Sequence, residues 1–338
     1  MTEHEEQLTI ATLQQELAEY GTPDLKKATW QILDTFIPYA ILWIVLVLTV
    51  QYDYSYWITL VLSVPAGALL VRIFIIFHDC CHSSFFASLK ANRILGTICG
   101  ILTFTSYESW RASHLVHHAT AGDLDRRGTG DVRTMTVEEY LAAPSLKRLA
   151  YRLYRNPFIM FILGPAYLFL FDQRFSRKGA KKIERHNVIF TNIAIIAVIT
   201  AAGFTIGLKT YLMIQLPIML IAGAIGIWMF YIQHQFEGVY WARHKERDPL
   251  KVALEGSSYY KLPKVLQWFT GNIGLHHIHH IRPRIPNYNL QQCYDEVNAV
   301  QILKPLTISR SLKSVWMNLW DENRHALVSF RSLRTFTH

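Results

Sequence analysis

Apolar positions in this chain gather into a few long, nearly unbroken runs instead of recurring at strand or amphipathic-helix spacing. Two runs, about 33–52 and 57–77, are separated by a short tyrosine-rich turn. Two more, about 188–207 and 211–233, are joined by Leu208-Lys209-Thr210. A helix rises about 1.5 Å per residue, so roughly 20 apolar residues cross the roughly 30 Å of a bilayer's hydrocarbon. The pattern therefore predicts four membrane spans arranged as two hairpins. The stretch 94–104 is too short to cross and predicts a re-entrant or interfacial helix. The stretch 157–171, interrupted by Gly164-Pro165, is expected to lie along the membrane surface, because a crossing would put its two flanks in opposite compartments. Residues 1–30 predict a polar, partly amphipathic helical lead-in, broken at Gly21-Thr22-Pro23.

Composition agrees with this picture. Hydrophobic residues make up 51% of the 338 and charged residues only 17%, against about 25% charged in soluble domains. That balance excludes a coiled coil, a disordered tail and an ordinary cytosolic enzyme. The net charge of +9 would suit nucleic acid, but its distribution points to a membrane. Segment 108–187 holds 14 Lys and Arg, segment 234–338 holds another 14, and the two hairpin turns hold only Lys209. By the positive-inside rule the segments 78–187 and 234–338, with both termini, are expected in the cytoplasm of a cell-membrane protein. Arg72, inside the second run, is expected to snorkel or find a partner near that cytoplasmic end. The acidic start MTEHEEQLTI lacks the features of a cleavable signal peptide. Cys80, Cys81, Cys99 and Cys293 suggest no disulfide framework. With no repeat or linker, a single domain over 1–338 is expected.

Fifteen histidines are the remaining anomaly, and ten of them cluster. His78-Asp79-Cys80-Cys81-His82 closes the second span with two imidazoles at i and i+4. His114-Leu115-Val116-His117-His118 is an HxxHH pattern, which recurs as His276, His279 and His280 around His277. His234 ends the fourth span. Helical spacing of i, i+3 and i+4 puts such side chains on one face. The topology, derived from hydropathy and Lys/Arg alone, places every cluster on the same side of the membrane. Imidazole suits iron, zinc, copper and nickel. Eight or nine imidazoles exceed what one ion takes, so a two-metal centre is expected; the residues alone leave the element open. The first box is not a zincin site, which needs HExxH. Cys80 and Cys81 read as packing residues. His277, outside the spacing, is expected behind the ligands, and His4, His186, His244, His325 and His338 are unclaimed.

These boxes carry a resemblance. The motifs are Phe77-His78-Asp79-Cys80-Cys81-His82, Trp110-Arg111-Ala112-Ser113-His114 through His118, Gln233-His234-Gln235-Phe236-Glu237, Gly271-Asn272 through His280, and Arg282-Pro283-Arg284-Ile285-Pro286-Asn287-Tyr288. Together they resemble the integral-membrane fatty acid desaturases over nearly the whole chain. The likeness is to the bacterial acyl-lipid (phospholipid) desaturases, including the cold-inducible Δ5 type. It implies an all-α integral membrane protein with four transmembrane helices, interfacial helices and a cytoplasmic helical cap. It also implies two iron ions held by His78, His82, His114, His117, His118, His276, His279 and His280, with His234 as a further ligand. Some relatives place an Asn-held water near the metals, and Asn272 is the local equivalent. Phe230 stands four residues before His234, so the animal acyl-CoA pattern is not reproduced and a membrane-lipid acyl chain is the better substrate.

The implied reaction removes two hydrogens from adjacent unactivated methylenes, using O2 and two electrons. Such C–H bonds are beyond side-chain acids and bases, so the cofactor carries the hard step. The chain shows no flavin or haem motif, and the resemblance implies a soluble donor such as ferredoxin or flavodoxin. The basic face suits docking of that donor as well as simple topology and anionic lipid. Asp79, Asp123, Asp125 and Glu237 are candidates to hold the outer ring N–H of ligating histidines. Trp110 and Arg111 are expected near the lipid entrance or as an interfacial anchor. The rivals are a histidine-box hydroxylase or ketolase and a metal transporter. A transporter should carry polar ligands at mid-membrane, whereas these histidines sit at span ends.

Overall fold

The computed structural model describes residues 9–335; His4 and His338 lie outside them. A short helix α1 (Ile10–Glu16) and a 3-10 turn (Glu19–Gly21) form the lead-in. The break at 22–24 ends with Asp24, whose carboxylate accepts from the backbone N–H groups of Lys26 and Lys27 and so starts α2 (Leu25–Gln51). This is the first of four helices, among the described residues, long and apolar enough to cross a membrane. The others are α3 (Tyr56–Cys81), α9 (Lys182–Thr205) and α10 (Leu208–His234). Each starts before the expected run, α2 by eight residues. Helices extend past the apolar stretch because backbone bonding continues into the interface. α10 begins at Leu208, so the second hairpin turn is Ile206-Gly207 instead of the expected tripeptide. α3 is the most buried span and packs against both α2 and α10. Pro38, Pro65 and Pro217 sit inside spans, and the Met213 carbonyl that Pro217 leaves without a backbone donor accepts from the Tyr56 hydroxyl of α3.

Between the hairpins, α4 (Leu89–Leu102) runs back along α3 and α5 (Tyr107–Thr120) returns carrying the second box. Next come β1 (Met135–Thr136), α6 (Val137–Ala142), α7 (Ser145–Tyr154), a π-helical turn (Ile159–Leu163) and α8 (Gly164–Leu170). This last stretch does not run flat along the surface as expected. It turns by 63° after α7, and Pro165 and Phe169 pack against Gly223 of α10. Gly223 is eleven residues before His234, roughly 16 Å along the helix. The stretch then returns to the histidine end, where Arg177 donates to the Ser109 carbonyl. The Gly164-Pro165 break favours a dip, because it interrupts a run otherwise apolar enough to leave the surface.

After α10 the chain forms the cap: α11 (Pro249–Glu255), α12 (Lys264–Phe269), α13 (His276–Ile281), α14 (Asn287–Glu296) and α15 (Ile308–Ser314). It closes with a hairpin of β2 (Leu319–Asp321) and β3 (Ala326–Val328), β2 pairing parallel with β1. This three-stranded sheet adds to the mostly helical architecture. Its turn is set by Asp321, whose carboxylate accepts from the N–H groups of Asn323 and Arg324. Arg72 finds its partners nine residues before the end of α3: its guanidinium lies 3.3 Å from Asp34, donates to Thr35 and to the Trp268 carbonyl, and stacks on the Trp268 ring.

Candidate metal centre

Four helix ends converge on one buried volume. α3 presents His78, with His82 at its C-terminal cap; α5 presents His114, His117 and His118; α10 ends in His234; and α13 presents His276, His279 and His280. Two donor groups result. His78, His82, His114, His118 and His279 form one, and His117, His234, His276 and His280 form the other, with candidate ligand atoms inside each group within 4.8 Å of one another. The two HxxHH helices exchange roles. α5 gives its i, i+4 pair to the five-histidine group and its middle residue, His117, to the other. α13 does the reverse, giving His276 and His280 to the four-histidine group and His279 to the first. At 100° per residue the middle histidine stands 100° round the helix from the next one, so one short motif serves two centres.

Ring geometry tests whether these groups fit metal. His118 Nε2 lies 3.1 Å from His114 Nε2 and 3.0 Å from His279 Nε2. His234 Nε2 lies 3.0 Å from His117 Nε2 and 3.1 Å from His276 Nε2. One ring nitrogen has either a single N–H or a single lone pair, so it cannot hydrogen-bond two such neighbours. Metal–nitrogen bonds of about 2.1 Å meeting at right angles would put donors roughly 3 Å apart. The groups are able to bind metal. Burial, then neighbouring imidazoles, push the pKa values of His82, His114, His118, His276, His279 and His280 well below the usual 6.5. This favours neutral rings that offer lone pairs.

The outer shell is partly as expected. Asp79 Oδ1 is 3.2 Å from His78 Nδ1, and its Oδ2 accepts from the backbone N–H and side-chain amide of Asn287 at 2.6 and 2.7 Å. Gln31 donates to the Asn287 Oδ1 in turn, tying α2 to the first box. The Gly256 carbonyl lies 3.3 Å from His234 Nδ1. The remaining candidates go elsewhere. Glu237 is exposed and pairs with Arg310, because the chain turns outward after Gln235. Asp123 pairs with His244 and Arg247, and Asp125 with Arg243, latching the loop after α5 to the cap. Asn272 donates to the Asn287 carbonyl. His277 is fully buried and donates from Nε2 to the Val300 carbonyl, away from both groups. Trp110 stacks on His114 with ring centres 4.2 Å apart and meets Phe74 and Phe77 edge-on, so it walls the site. Arg111 caps α3 through the Cys81 carbonyl. Cys80 and Cys81 are buried.

Sequence reasoning missed one residue. Asp131 Oδ1 lies 2.8 Å from His117 Nδ1, off the axis of the ring N–H. No helical spacing links the two; the available signal was an acid directly after Gly128-Thr129-Gly130, downstream of the box. Asp131, Gln235 and His234 also line a cavity of about 20 Å3, room for roughly one water.

A fatty acid desaturase family model matches residues 55–308, which span every one of these histidines. The chain belongs to the fatty acid desaturase family. It is 48% identical to a fatty acid desaturase of Bacillus subtilis over 96% of this chain and 93% of that one. An sn-1 acyl-lipid omega-3 desaturase (ferredoxin) of Nostoc is 23% identical over 75% of this chain and 70% of its own length. An sn-1 oleoyl-lipid 12-desaturase of Synechocystis is 25% identical over 67% and 64%. The desaturase is thus an oxidoreductase built on membrane helices, and use of two irons is general to its family.

Proposed function

We propose that this desaturase introduces a double bond into an acyl chain of a membrane phospholipid. Two iron ions would be held by His78, His82, His114, His118 and His279 and by His117, His234, His276 and His280. The division of nine imidazoles, seven of them buried, into a five-donor and a four-donor group at the span ends carries this reading. The acyl-lipid names of two relatives support the substrate. The reading treats 1–338 as one domain, because the second group needs both α10 and the cap. It sets the site and both termini in the cytoplasm, from the Lys/Arg distribution.

The balanced reaction converts –CH2–CH2–, O2, two electrons and two protons into –CH=CH– and two waters. The oxidant is O2, and bound metals would supply the activation of it that no side chain can. The chain's residues do the rest. The imidazoles fix donor positions, and Asp79 holds the outer nitrogen of His78. Trp110, Phe74 and Phe77 form an apolar wall that keeps water from the reacting chain. The electrons come from a soluble carrier of the ferredoxin or flavodoxin type. The test is expression in a host lacking desaturases, with mass spectrometry of derivatised fatty acid methyl esters. A new double bond supports the reading. Hydroxy or keto acids instead would replace it with the oxygenase alternative, and unchanged lipids from folded protein would contradict it.

A further inference from the structure

The two histidine groups differ in how their outer nitrogens are held. In the five-histidine group one Asp79 oxygen meets His78 while the other accepts from the two N–H donors of Asn287. In the four-histidine group the Asp131 carboxylate stands 2.8 Å from His117 Nδ1 and also acts on His234 of the same group. We infer that Asp131 is a positioning residue dedicated to the four-histidine group, holding His117 with Nδ1 outward and Nε2 toward His234. The inference rests on the two-metal reading above.

The fold is built to bring this acid close. Gly130 has φ +70°, and a Cβ placed there would stand 2.9 Å from the His117 Cβ. That is nearer than real Cβ contacts allow, so only glycine lets the loop reach the ring. The loop is then fixed by Arg155, which is 2% exposed. Arg155 donates to the Arg133 carbonyl, to Thr134 and to Gln235, and Gln235 donates to the Val132 carbonyl. A buried guanidinium is costly unless it is hydrogen-bonded, and both terminal nitrogens of Arg155 are. Here its bonds, with that of Gln235, hold the three residues after Asp131 to the end of α10, beside His234.

A carboxylate on the outer nitrogen sets the tautomer and raises the basicity of the inner one, and losing it typically weakens metal binding about 10–100-fold. The experiment measures metal per chain and release to a chelator for detergent-purified wild type, Asp131→Asn, Asp131→Glu and Gly130→Ala. Glu322→Gln, on the remote Arg243 pair, is the control. The inference predicts two metals in wild type and the control, with one of the two released about 10–100-fold more readily in Asp131→Asn. Asp131→Glu should recover part of that retention. Gly130→Ala, which keeps the carboxylate but displaces it, should fall between. Retention of both metals at the wild-type release rate in Asp131→Asn and Gly130→Ala would overturn it. A wild type that binds no metal would instead sink the two-metal reading itself.

Discussion

A histidine's role here follows from where its second nitrogen goes. His78 and His234 have Nδ1 beside an acceptor and Nε2 free for the centre, while His277 spends Nε2 on the Val300 carbonyl. Replacing His117 or His279 by Ala should therefore remove one donor from each group in turn and abolish product. Full activity in either variant would refute its assignment. His277→Gln should instead leave metal content near wild type. Burial lowers the His277 pKa to about 4, whereas the unfolded chain takes up that proton near 6.5. Acid thus favours unfolding as pH falls through that window, by about 3 kcal/mol for this one ring. Thermal melts of metal-free protein between pH 7 and 4 should show a smaller decline for His277→Gln than for wild type; equal declines would contradict it. The box histidines were legible because i, i+3 and i+4 spacing survives into structure. Asp131 was not, because a carboxylate brought in by a glycine turn leaves no periodic trace. Glu237 misled by lying close to His234 in sequence, although the chain turns away from the site between them.

Helices place these side chains through close contacts that spacing alone does not reveal. Gly96 of α4 sits against the Tyr107 ring of α5 and the Cys80 Cβ of α3, and the Tyr107 hydroxyl donates to the Cys80 carbonyl. A larger residue there would wedge the first and second boxes apart. Gly96→Val should cost about 1–3 kcal/mol from overpacking and lower metal content together with melting temperature. Loss of neither would show that this junction does not set the site. Arg72 makes a second junction, joining α2 and α3 to α12 through Asp34 and Trp268. Removing one partner of a buried pair costs about 3–5 kcal/mol, while replacing both with apolar residues costs little. Arg72→Met should accordingly destabilise the protein strongly, and Arg72→Met with Asp34→Leu should recover most of the loss; melts of the purified variants decide it. The spans were legible from hydropathy to within a few residues at most ends, α2 and α9 starting earlier. The dip of α8 against Gly223 was not, because it depends on a tertiary contact.

At the scale of the molecule, two membrane hairpins hold α3 and α10 side by side while the cap returns α13 across their ends. That closure gathers the boxes on one surface: α3 and α10 deliver theirs at span ends, and α5 and α13 bring theirs alongside. The division into five and four donors was beyond sequence, since it arises only when α5 and α13 face each other and trade middle histidines. The Lys/Arg distribution predicts that the cap side faces the cytoplasm. Cysteines introduced at Lys209 and at Arg324 should differ in labelling by an impermeant reagent on intact cells, with only the Lys209 position reached; the opposite result would invert the topology. The central claim is that this surface holds two ions for oxygen chemistry. Elemental analysis of the purified full chain tests it most directly. The account predicts two irons per chain, and a single ion, or zinc alone, in a preparation that desaturates lipid would contradict it.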